Sequence, residues 1–135
     1  MKYPQEYEDN NIIILDDINE KKINNDKIQA MFKRGRHNNL SIFIISHDYY
    51  ELPKKTIRAN GNIYHIFKPN NYLDIRNIYQ DKASMDMILN EFKYLTSTCW
   101  NKNYQRLTID MTKDKYTGRY RLRLNSIFVP NSSSF

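Results

Sequence analysis

The chain has 135 residues, 40% hydrophobic and 13% aromatic, which excludes a disordered polyampholyte and allows a real core. A net charge of +6 favours an anionic partner such as nucleic acid, nucleotide or an acidic membrane. Cys99 is the single cysteine, the three histidines miss zinc spacings, and neither a signal-peptide core nor a spanning apolar run occurs. The expectation is a soluble intracellular protein without an intrachain disulfide.

Residues 1–10 are polar and expected to fray. Ile12–Leu15 is continuously apolar, the pattern of a short strand buried on both faces. "NNDKIQAMFKRGRH" follows as a helix capped near Asn25 or Asp26, with Ile28, Met31 and Phe32 at helical spacing and Gly35 at its end. "LSIFIISH" (40–47) reads as a second buried strand. "LPKKTIRANG" offers Pro53 for a helix's first turn and Gly61 for its exit. "NIYHIFK" (62–68) reads as a third strand, so the first half has the alternation of parallel β-α-β units.

Beyond Pro69 the pattern changes. Residues 71–80 suit a short helix, and 84–98 a longer one with Met85, Ile88, Leu89, Phe92 and Leu95 on one apolar stripe. "RLTIDM" and "RYRLRL" flank a polar turn containing Gly118 and predict an antiparallel hairpin. "PNSSSF" reads as a loose tail from 131 to 135. Residues 1–130 contain no internal repeat and no linker that would separate two domains.

The first strand runs directly into Asp16 and Asp17. At the carboxyl end of a parallel strand, such a pair can hold magnesium with one carboxylate and orient or deprotonate water with the other. It can equally be a strand exit capping the next turn. The second strand ends in Ser46 and His47, which would emerge beside the carboxylates if the two strands are neighbours. Arg34, Arg36 and His37 form a basic cluster at a helix end, where they suit the helix dipole or a phosphate. Arg119, Arg121 and Arg123 alternate with Tyr120, Leu122 and Leu124. That alternation reads as a solvated face or a DNA-facing stripe.

The string "IIILDD", then "FKRGRHNNLSIFIISHDYYELPKKTIRANGNIYHIF", resembles the packaging ATPases of large DNA viruses and related virus-like transposons, of the FtsK–HerA group. The late "LTIDMTKDKYTGRYRLRL" resembles the family's closing segment, so the likeness spans roughly 11–125 in order. The resemblance implies an α/β fold: a partial P-loop NTPase core of the three-layer, ASCE type with parallel strands, then helices and a C-terminal β-hairpin. It also implies the sheet order 5-1-4-3-2, of which this chain would supply strands 3, 4 and 5. By the same resemblance, Asp16 matches the Walker B magnesium carboxylate and Asp17 the catalytic carboxylate. Ser46 and His47 fall at the sensor strand's end, where the family usually has Gln in place of His47. Arg58 matches a suspected arginine finger, a guanidinium that stabilises phosphoryl charge across a subunit boundary.

The implied cofactors are ATP and Mg2+. The implied partners are double-stranded DNA and either like subunits in a ring or the missing N-terminal half of the ATPase, in the host cytoplasm, viral factory or virion. No GxxxxGK[ST] occurs, since none of Gly35, Gly61 and Gly118 precedes Lys-Ser or Lys-Thr. The expectation is therefore a C-terminal portion of a DNA-packaging ATPase, inactive alone. A non-enzymatic DNA- or partner-binding remnant is the alternative.

Overall fold

Branched and aromatic side chains favour extended backbone, and the first two apolar runs are strands. β1 (Asn11–Leu15) and β2 (Leu40–Ile44) pair in parallel, from Asn11 opposite Leu40 to Leu15 opposite Ile44. The computed structural model describes residues 11–18, 21, 24–35, 37 and 39–131. The chain forms two units, Met1–Asn60 and Gly61–Phe135. The stretch 1–10 expected to fray, Arg36, and residues 132–135 of the expected tail lie outside the described residues.

In the first unit, α1 (Asn25–Gly35) joins the parallel strands. Its cap is Asn24, one residue earlier than the sequence suggested: Asn24 Oδ1 accepts the amides of Asp26 (3.1 Å) and Lys27 (3.2 Å). Ile28 is buried, while Met31 and Phe32 are half-buried. After Pro53, whose missing N–H costs nothing at a helix start, comes α2 (Lys54–Arg58). The amides of Ile57 and Arg58 both donate to the Pro53 carbonyl at 3.0 Å, giving π-type winding. Asn60 closes the turn by donating its side-chain amide to the carbonyls of Thr56 (2.7 Å) and Lys55 (3.2 Å).

The expectation that β1 and β2 are buried on both faces is overturned. Ile12, Ile14, Phe43 and Ile45 are each more than half exposed, and the register places Ile14 opposite Phe43 on one face. Side chains alternate across a strand. A continuous apolar run therefore meets a core on both sides only where two layers cover the sheet, and in this unit one face is left open.

The third expected strand forms, but not in the parallel sheet. β3 (Ile63–Phe67) pairs antiparallel with β4 (Arg106–Asp110), which continues through β5 (Tyr120–Leu122) to β6 (Ser126–Phe128). The three-strand parallel core expected from the sequence is thus corrected to one parallel pair and a separate antiparallel sheet of four strands. Tyr64 and Ile66 of β3 lie on the same face as Leu107 and Ile109 of β4, and all four are buried. That shared apolar face accounts for the antiparallel partner. The expected hairpin around Gly118 is β4–β5, with the glycine at φ +118° where a side chain would be strained.

The second unit's core lies between this sheet and its helices. α3 (Tyr72–Ile78) is capped by Asn71, whose Oδ1 accepts the Asp74 amide at 2.8 Å, and continues into a π-bonded turn, Tyr79–Ala83. α4 (Leu89–Cys99) buries Phe92, Leu95, Thr96 and Cys99, the spacing of one helical stripe. Met85 and Ile88, expected on that stripe, precede the helix and are exposed, and Met87 is buried instead. Trp100 donates its indole N–H to the Ile66 carbonyl at 3.1 Å, tying the end of α4 to β3.

Candidate functional site

The parallel register of β1 and β2 brings their carboxyl ends together. Ile45 donates its amide to the Leu15 carbonyl at 2.9 Å, and Ile18 donates back to the Ile45 carbonyl at 3.1 Å. Asp16 and Asp17 therefore leave the sheet beside Ser46 and His47. Asp17 takes φ +52°, a left-handed turn that aspartate tolerates better than most residues. Its amide donates to Asp16 Oδ1 at 2.8 Å. His47 Nε2 stands 3.7 Å from Asp17 Oδ1, too long for a hydrogen bond but close enough for attraction when the imidazole is protonated. Both side chains are well exposed. Ser46 turns to its own loop and donates Oγ to the Asp48 carbonyl at 3.1 Å.

Carboxylates leaving one strand beside Ser-His leaving its parallel neighbour give the comparison with known proteins a structural footing. A sequence model of the family described as Poxvirus A32 protein matches residues 2–112. The chain belongs to that family. It is a family of viral DNA-packaging ATPases, and the match covers both strands, Arg58 and the second unit through β4. Searches of curated proteins and of solved structures gave no match.

An ATPase family implies nucleotide and magnesium. Among the described residues of this A32-family chain, no group of three or more His, Cys, Asp or Glu side chains could cage a metal. Magnesium does not need one: it keeps several waters and takes one or two carboxylates plus substrate phosphates. Asp16 fits that requirement. It is exposed, and the Asp17 amide orients it through Oδ1 while Oδ2 is left for a cation.

Arg58 lies elsewhere in the first unit. It is only 6% exposed, and its guanidinium sits over the Tyr49 ring, 5.0 Å from the centroid. Arg34 occupies the last turn of α1 with Lys33, a position that suits the helix dipole or a phosphate alike.

Two of the three arginines in the stripe of this A32-family chain meet carboxylates. Arg119 pairs with Asp86 and Arg121 with Asp110, each at 2.7 Å. Tyr120 adds a 2.7 Å bond to Asp86, so that buried carboxylate holds β5 from two consecutive residues. Burial alone would push the Asp110 carboxyl up, but the Thr112 hydroxyl and amide and the Arg121 guanidinium outweigh it and hold it low. Asp86 and Asp110 went unnoticed in the sequence because nothing local marks the partner of a carboxylate 33 or 11 residues away.

No helix among the described residues is long and apolar enough to cross a membrane.

Proposed function

We propose that residues 16, 17, 46 and 47 form the metal and water side of an ATP-hydrolysing site that drives viral DNA packaging, and that the phosphate-cradling loop is contributed from outside residues 1–135. Asp16 would hold the magnesium ion that arrives with ATP. When bound, that ion neutralises charge on the β- and γ-phosphates. Asp17 orients the attacking water and takes its proton as water oxygen bonds to γ-phosphorus and the bridge to the β-phosphate breaks. His47 sits where it can hydrogen-bond the same water, and neutral imidazole does this without adding charge. The observation that carries the reading is the parallel register placing Asp17 within 3.7 Å of His47. Its support from kinship is the packaging-ATPase family.

The chain alone should then be a poor ATPase, since positioning supplies most of phosphoryl-transfer catalysis. The test is phosphate release by the chain alone and after mixing with a polypeptide carrying GxxxxGK[ST], with magnesium and DNA present. Turnover should need both polypeptides, and Asp17→Asn should lower it about 100-fold or more while leaving nucleotide binding nearly unchanged. Equal turnover by Asp17→Asn and parent would remove Asp17 from the chemistry and favour a non-enzymatic DNA- or partner-binding role. Arg58→Ala in the same mixture tests the finger. A loss of turnover confined to assembled oligomers would assign it, and would require Arg58 to leave the Tyr49 ring.

A further inference from the structure

A cleft in the second unit takes no part in the carboxylate site. It is an open depression of about 340 Å³ where β3 ends at Phe67 and the chain leaves α4 at Trp100, a volume within the range of roughly 300–1,000 Å³ common for ligand sites. Its chemistry is specific. Tyr104 is 93% exposed, an aromatic ring with almost nothing packed on it, and it holds φ +62°, a conformation bulky residues rarely adopt. Phe67, also exposed, lines the same cleft, and Lys68 and Lys102 supply two cations. Neither lysine has a carboxylate partner among the described residues. Of the residues that line the cleft, Lys68 and Lys102 are cationic and none is Asp or Glu.

The rim is braced from below. Trp100 is fixed by its bond to the Ile66 carbonyl. The Gln105 amide, oriented with its nitrogen on the Cys99 carbonyl (2.7 Å) and its oxygen on Arg123 Nη2 (2.7 Å), ties the loop to both neighbours. Exposed aromatic rings beside unpaired lysines are what unpaired nucleotides need: a base stacks on the ring, and the flanking phosphates meet the cations. Side-chain amides such as Asn103 can read a base edge. A duplex offers no free base face, and a cleft this size admits single nucleotides, not a double helix.

The geometry points to a binding site for unpaired nucleotides of a single nucleic-acid strand, centred on Tyr104. This does not depend on the carboxylate site, and it is read by binding, not hydrolysis, so either can fail alone.

The experiment is fluorescence anisotropy of the full chain with a labelled single-stranded oligonucleotide, its duplex, and the matching RNA. Single strands should bind several-fold tighter than duplex at equal salt. Tyr104→Ala should weaken them about tenfold and Tyr104→Phe about twofold or less, because the stacking face is what matters. Lys102→Ala should reduce the slope of log affinity against log salt by about 0.7. Unchanged Trp100 fluorescence would show that the variants fold. Comparable single-stranded DNA and RNA affinities support a base-stacking site, and a preference for either names the strand it takes. Duplex binding as tight as single-strand binding, or indifference to Tyr104→Ala, overturns the proposal. So does displacement of the strand by poly-glutamate at equal charge concentration, which carries charge but no base, whereas displacement by free mononucleotide supports a base-stacking site.

Discussion

His65 carries a pH response that its contacts explain. Thr108 Oγ1 donates its proton to the Arg123 carbonyl at 2.5 Å, so its 3.1 Å contact with His65 Nδ1 requires the imidazole to be the donor. Burial pushes the His65 pKa down, and the nearby Arg106 and Arg121 guanidiniums push it further the same way. Below an ordinary histidine pKa of about 6.5, the unfolded chain binds a proton that the folded chain refuses. Stability contributed by neutral His65 is therefore intact above that pH and declines as pH falls through it. Melting curves at about pH 7.5 and about pH 5.5 should show a lower Tm in acid, with a smaller drop for His65→Asn. An equal drop in both proteins would place the response elsewhere. Tyr64 shows the same burial effect on a phenol, its pKa pushed up to about 12, while its hydroxyl takes a 2.9 Å bond from Lys82.

Among the elements, β5 is the one most dependent on charge. It is only three residues long, and Tyr120 is its fully buried side chain. Arg119 approaches from the turn to meet Asp86, and Arg121 meets Asp110 across the hairpin. Removing one partner leaves a buried carboxylate without its countercharge, which costs more than the pair contributes. Arg119→Ala should therefore destabilise the second unit by about 2 kcal/mol in urea titration. Replacing both partners, Arg119→Met with Asp86→Leu, should recover part of that loss. A single variant as stable as the parent would mean that water compensates Asp86. The same pairing engages Arg119 and Arg121, two of the three arginines in the stripe.

For the whole molecule, the two units differ in how well they enclose themselves. Of the buried apolar side chains among the described residues, only Ile28, Tyr49 and Ile57 belong to the first unit. Its parallel pair has an open face of Ile12, Ile14, Phe43 and Ile45, although parallel sheets are ordinarily covered on both faces. Two strands alone are marginal in water, and an exposed apolar sheet invites association. At micromolar concentration the chain should elute larger than a monomer. Ile14→Lys with Phe43→Lys should shift it towards monomer, because charge on that face opposes any apolar cover. A monomeric parent in light scattering would show that the face is harmless. In the proposed ATPase, the polypeptide bringing the phosphate loop is the natural cover, and its addition should dissolve the association.

Local pattern was enough to locate most elements. Continuous branched runs mark β1 and β2, Gly118 between alternating arms marks the hairpin, and the asparagine and proline signals start α1 and α2 within a residue or two, whereas α4 begins at Leu89, five residues after the expected 84. The order of Asp16, Asp17, Ser46, His47 and Arg58 was enough to indicate the family, because motif chemistry is written in consecutive residues. Partner choice was not legible. The alternation of β3 is equally good for a parallel or an antiparallel neighbour, and only the buried face it shares with β4 decided between them. β6 was missed because three residues after a turn carry almost no periodic signal. Arg58 looks like a surface finger in sequence, yet a guanidinium's burial depends on a ring such as Tyr49 being brought beneath it. The sequence by itself determined the conformation of most segments and the chemistry they carry, since both arise largely from contacts between near neighbours along the chain. Tertiary structure alone decided which surfaces meet, because that outcome is a competition among distant segments for the same apolar faces and countercharges.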